Sequence, residues 1–188
     1  MKKEHVLAQV SALAAVLSLI GCGGSGNPHN PGTPPPTLPP APAASIAATG
    51  VGAIVLHQSL DSRYGYALET PVKVTESGGG TASWDFVRYQ IYLSGKEIER
   101  YELGSSDIAA AGYHLIAANS SKTYTILYRQ NADKFDRIDI TLGFSDQKDA
   151  RPFTVAVPFS SFTDVTVSVT PLAVPPKGTI RLADGGTK

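Results

Sequence analysis

The pattern that most restricts the fold is a two-residue alternation of apolar and polar side chains, repeated through residues 53–169 and broken each time by a turn cluster. A strand presents successive side chains to opposite faces, so such runs, rich in β-branched and aromatic residues, specify half-buried strands. Leu68–Glu76 sets Val72 and Val74 on one side and Lys73 and Thr75 on the other, with Pro71 marking an edge or the start of the strand. Trp84–Leu93 is the strongest run: Val87, Tyr89, Ile91 and Leu93 share one face, and Trp84, Phe86, Arg88, Gln90 and Tyr92 the other. Thr123–Arg129, Phe135–Phe144, Phe153–Phe159 and the trio Val165, Val167 and Val169 repeat the rule, with the three valines expected inward. A short apolar run at Ala53–Leu60 and a polar strand through Ile98–Leu103 complete the set. Asp61-Ser62-Arg63, Ser77-Gly78-Gly79-Gly80, Ser94-Gly95-Lys96, Asn119–Lys122 and Asp146–Asp149 supply the turns, and Pro171, Pro175 and Pro176 end regular structure.

About eight strands, seven to nine in all, with one-sided apolar faces predict an all-β domain of two antiparallel sheets packed face to face. A parallel βαβ fold would need helical patterns between strands, and the one helical signal beyond residue 22 is a single turn at Ser106–Gly112, capped by Ser106 or Asp107. The strand number and alternation over residues 45–175 resemble the immunoglobulin-like and fibronectin type III sandwiches of exported bacterial proteins. The paired cysteines of antibody-type domains are missing, and Trp84 matches their core tryptophan only loosely. Transthyretin-like and jelly-roll sandwiches share the same pattern and stay open.

The start of the chain is different in kind. Lys2 and Lys3 precede an apolar run, Val6–Ile20, of secretory-signal length and too short for a membrane span of about 20 apolar residues. It ends in Leu19-Ile20-Gly21-Cys22, which resembles the lipobox of bacterial lipoproteins. The resemblance implies cleavage between Gly21 and Cys22, a diacylglycerol on the Cys22 thiol and acylation of the new amino group. Two or three acyl chains make membrane attachment effectively permanent. In the same family an Asp after the cysteine favours inner-membrane retention; Gly23 stands here, so the resemblance implies the outer membrane, with the periplasmic or surface-facing side open. Cys22 is also the sole cysteine, so the domain has no internal disulfide to lean on. Residues 23–44 are rich in Gly and then Pro, a flexible joint followed by roughly 50 Å of polyproline spacer. The expected organisation is therefore residues 1–21 as signal peptide, 22–44 as lipidated cysteine and tether, and 45–188 as sandwich.

Charge narrows the partners. Removal of Lys2, Lys3 and Glu4 with the signal leaves 14 basic against 15 acidic residues, a net charge of −1, with no basic run. That argues against nucleic acid, whose binding draws its affinity from phosphate neutralisation. All fifteen aromatic residues lie beyond residue 63, and the strand face bearing Trp84, Phe86, Arg88 and Tyr92 is the candidate binding face, because exposed rings stack on sugars or receive a partner's apolar groups. The competing expectation is that Ser45–Leu60 or the helical turn covers that face. His57 and His114 stand apart with no nucleophile motif beside them, and Asp133, Asp136, Asp139, Asp146 and Asp149 lack calcium-loop spacing. The sequence thus implies no cofactor, no metal and no catalysis. It favours a lipid-anchored envelope module that binds an envelope protein or plays a structural role. A carbohydrate-binding module is the alternative and an envelope hydrolase using His57 or His114 the third.

Overall fold

The computed structural model describes residues 38–132, 134–160, 165–175 and 178–183. The signal run, the lipobox Leu19–Cys22, the tether up to Thr37, His5, His29, Asp133 and Pro176 lie outside the described residues.

Among the described residues eleven strands form two sheets. The first has the order β10 (Val165–Leu172), β2 (Ile54–Ser59), β3 (Tyr66–Glu76), β7 (Ser121–Gln130) and β11 (Thr179–Leu182), with β1 (Ile46–Gly50) also paired to β3. The second has the order β5 (Lys96–Gly104), β4 (Ala82–Leu93), β8 (Arg137–Asp146) and β9 (Pro152–Ser160), with β6 (Leu115–Ile116) also paired to β4. One short helix, α1 (Ser105–Ala110), follows β5. Its N-cap is Gly104, rather than the expected Ser106 or Asp107, and the Asp107 carboxylate reaches back to the Gly104 N–H. Ser94 and Gly95 both take positive φ, 52° and 75°, as a two-residue turn between right-twisted strands requires.

Alternation has the expected cause: Val72, Val74, Tyr124, Ile126 and Tyr128 from the first sheet meet Val87, Tyr89, Ile91, Ile138, Ile140 and Leu142 from the second. The rings of Tyr89 and Tyr128 stack across the two sheets at 3.7 Å. Trp84 presents an edge to Tyr124 at 5.0 Å and lies beside Phe144. The architecture is an all-β, two-sheet, mostly antiparallel sandwich consistent with the immunoglobulin-like class.

Three particulars correct the sequence reading. Among the described residues strands number eleven rather than seven to nine, because a separate β1 precedes the run at Ala53–Leu60, the two-residue β6 lies between α1 and β7, and β11 forms after the prolines. β1 is Ile-Ala-Ala-Thr-Gly, too weakly apolar to announce itself, and takes its conformation from pairing with β3. The sheets are not wholly antiparallel, since β10 runs parallel to β2. Finally, Val167 and Val169 do not face the core: they are 73% and 96% exposed, because β10 is an edge strand whose register slips after Ser168.

Candidate functional site

The candidate face lies on the solvent side of the second sheet, and β4 shows why it holds only part of the expected set. Between Trp84 and Phe86 the pairing of β4 with β8 shifts by one residue, a bulge at Asp85. An extra residue in one strand reverses the side of everything before it. Trp84 therefore turns into the core, 1% exposed, on the same side as Val87, Tyr89 and Ile91, whereas Phe86, Arg88 and Tyr92 stay outside. Of the expected quartet, three side chains thus lie on the exposed face, and the Trp84 side chain is buried. The indole is held by its Nε1–H donating to the Phe86 carbonyl at 3.1 Å.

The remaining side chains form an ordered, charged surface. Phe86 lies flat across Gly143 of β8, where a Cβ would fall 2.1 Å from its ring. Glycine opposite an aromatic on a neighbouring strand leaves room for the ring to cover the bare backbone. The Arg88 guanidinium sits 5.0 Å from the Phe86 ring centre and its Nε donates to Glu102 at 2.8 Å. Arg137 lies 4.1 Å over Tyr92 and pairs with Asp139 at 3.1 Å. Between them Gln90 and Arg100 both donate to Glu97. The hydrogen bonds from Arg100 and then Gln90 hold the Glu97 carboxyl below the usual carboxylate range. Both rings carry an arginine on one side, so the face offers guanidinium edges and carboxylates beside the aromatics rather than two bare platforms.

A second constellation escaped the sequence reading. It sits where the Pro-rich segment joins the sandwich. Glu76, at the end of β3 and 2% exposed, accepts four backbone N–H groups: Ser45 at 2.9 Å, Gly78 at 2.7 Å, Gly79 at 3.2 Å and Asn119 at 2.7 Å. Burial pushes this carboxyl up, but the four N–H groups together outweigh it and leave it below its ordinary value. Asp146, buried at the end of β8, accepts from Ala44 and Lys148 N–H, each at 2.9 Å, and these bonds hold it low as well. Gly78 and Gly80 are needed for the approach: a Cβ on either would fall 2.3 Å from the Ala43 carbonyl oxygen or 2.5 Å from the Ala44 nitrogen. Lys148 Nζ adds a bond to the Ala41 carbonyl at 2.6 Å. A glutamate followed by Ser-Gly-Gly-Gly was the available signal, a carboxylate ahead of unhindered N–H donors.

The other candidates are structural or isolated. His57, on β2, has Nδ1 2.8 Å from the Thr170 carbonyl oxygen and Nε2 3.2 Å from Glu69, so it ties β10 to the sheet. His114 is exposed at a shallow cavity of about 350 Å³ shared with Ser83, Asp85, Ser105 and Ser106, where Asp85 is already engaged by Ser145 Oγ. Arg129 points outward from β7 yet is buried, bonded to the Val174 carbonyl and to Asp61, and so closes the loop after β2 against the crossover after β10. Asp139 is a strand-surface residue, paired as above, and Asp136 accepts the Ser94 N–H at 2.6 Å. Among the described residues no three His, Cys, Asp or Glu side chains converge in a group able to hold a metal.

No protein-family model matches this sequence, and no curated protein matches it. Two of the solved structures similar to this chain are as follows. A protein described as ApaA from Bordetella pertussis is 14% identical over 64% of this chain and 94% of its own, with a TM-score of 0.45. A structural-genomics target, SoR45, is also 14% identical, over 63% of this chain and 84% of its own, with a TM-score of 0.41.

Proposed function

We propose that this chain is a lipid-anchored module of the bacterial cell envelope, held through Cys22 in the outer membrane. In this reading it presents a non-catalytic immunoglobulin-like sandwich for protein binding or a structural role. The observation that carries this is the clamp at residues 41–45. A domain hanging from an N-terminal anchor takes every displacement of that anchor where the spacer meets the fold. There the backbone is bonded to two buried carboxylates from opposite sheets, Glu76 and Asp146. An unloaded N-terminus needs no such fixing, since chain ends are ordinarily loose unless tied down.

The test is acyl labelling of cells that make the full chain. With an alkyne-bearing palmitate analogue, the wild-type chain takes up label and sediments with outer membranes, and Cys22→Ser loses both. An unlabelled wild-type chain in the soluble fraction overturns the reading. Gly23→Asp moves the labelled protein toward inner-membrane density if the family's sorting preference applies.

The carbohydrate-binding alternative has one feature in its favour, the presence of Phe86 and Tyr92 on one open strand face. It predicts glycan retention that falls on Tyr92→Ala. Glycan retention that survives Tyr92→Ala and Phe86→Ala removes that face from consideration.

A further inference from the structure

Sheet edges present unpaired N–H and C=O groups, and proteins blunt them with charge, proline, bulges or a covering element. Most edges here are blunted. β5 carries Lys96, Glu97, Glu99, Arg100 and Glu102, β9 carries Pro152 and Pro158, and β11 carries Arg181. β1 lies against β9, with Gly50 facing the Phe159 ring.

β10 differs. Its run Val165-Thr166-Val167-Ser168-Val169 has no charge and no proline, and among the described residues it pairs only with β2. The register slip after Ser168 and Pro171 beyond it limit the free stretch to these five residues without closing it. Val167 and Val169 are the two most solvent-exposed large apolar side chains of any strand. Beside them a cavity of about 330 Å³ is lined by Leu56, His57, Tyr66 and Val167.

We propose that this edge is a homodimer interface, in which β10 of one copy pairs antiparallel with β10 of a second and joins the two first sheets into one. The occupant follows from symmetry. Facing residues of an antiparallel pair point to the same side, so a two-fold axis normal to the sheet must pair positions of equal parity. Valines of one copy then meet valines of the other, and Thr166 and Ser168 meet hydroxyls. No charge opposes its own image, as it would along β5. β-branched side chains pack well against neighbours on a pleated surface, and Thr–Ser hydroxyl pairs add hydrogen bonds across such a ladder.

Sedimentation of the full chain in a density-matched mild detergent tests this. The expected result is a concentration-dependent monomer–dimer equilibrium, weakened about tenfold or more by Val167→Lys, an effect of 1.4 kcal/mol or above. Val167→Thr retains the dimer. Thermal unfolding of each variant, with Val169→Lys as a second charged substitution, shows that the fold is kept. A monomer at every concentration overturns the proposal, as does a dimer that both lysine variants leave intact. A monomer that instead takes up a labelled peptide of residues 165–170 also overturns it, assigning the edge to a foreign strand.

Discussion

β1 and β2 flank the same strand, β3, and end in opposite ways. β1 covers residues 72–76 of β3; it is turned against β9 and preceded by the Glu76 and Asp146 clamp. β2 covers residues 66–69; it is extended by β10, whose far side has no partner strand among the described residues. The two halves are only Val51–Ala53 apart in sequence. What separates them is where buried polar groups were placed: one half spends two carboxylates on backbone N–H groups, and the other holds its added strand through His57. A sandwich can therefore be locked on one half of an edge and left available on the other without a change in sheet geometry.

Glu76→Ala should show the largest effect. It removes a buried acceptor shared by four N–H donors at a part-buried junction, and chemical denaturation should report a loss of about 3 kcal/mol. If the loss is a few tenths, the clamp is decorative and the contrast fails. Next comes Gly50→Val, which sets a Cβ 2.7 Å from the buried Phe159 ring where β1 meets β9; about 2 kcal/mol is expected from overpacking. His57→Ala should cost about 1 kcal/mol and release β10 first, read as faster amide exchange at residues 166–170 than elsewhere. Val167→Lys, on the bare half, should leave the unfolding midpoint within about 0.5 kcal/mol of wild type.

Acid sharpens the same contrast. Glu76 and Asp146 both have folded values below their unfolded ones, so their contribution is present in full above the ordinary carboxylate range. It is lost as pH falls through the depressed values. Stability should drop below about pH 4, and Glu76→Gln should flatten part of that acid limb. An unchanged limb would remove Glu76 from the account.

The strand faces of β3, β8 and β9 were legible because each keeps alternation and one more deeply buried side; β7 was legible in its inward set Tyr124, Ile126 and Tyr128 but not in its burial on both faces from Tyr124 to Gln130. β4 was legible as a strand but not in its facing, since nothing in Ser83-Trp84-Asp85-Phe86 marks the bulge that sends Trp84 inward. The inward reading of the β10 valines held for Val165, which packs against the core, and failed for Val167 and Val169 for a related reason: alternation tells which residues share a side, not whether another sheet lies opposite. The clamp was hidden because its parts lie far apart in sequence, Ala44 and Ser45 against Glu76, Asn119 and Asp146. Only long-range pairing brings them together.

The inward turn of Trp84 has a practical side. It is the sole tryptophan among 188 residues, sealed between Tyr124 and Phe144. Its fluorescence is therefore a built-in reporter of the core: it shifts to the red when the two sheets part and stays unchanged when only β10 gains or loses a neighbour. One optical signal thus separates unfolding from assembly in the same sample.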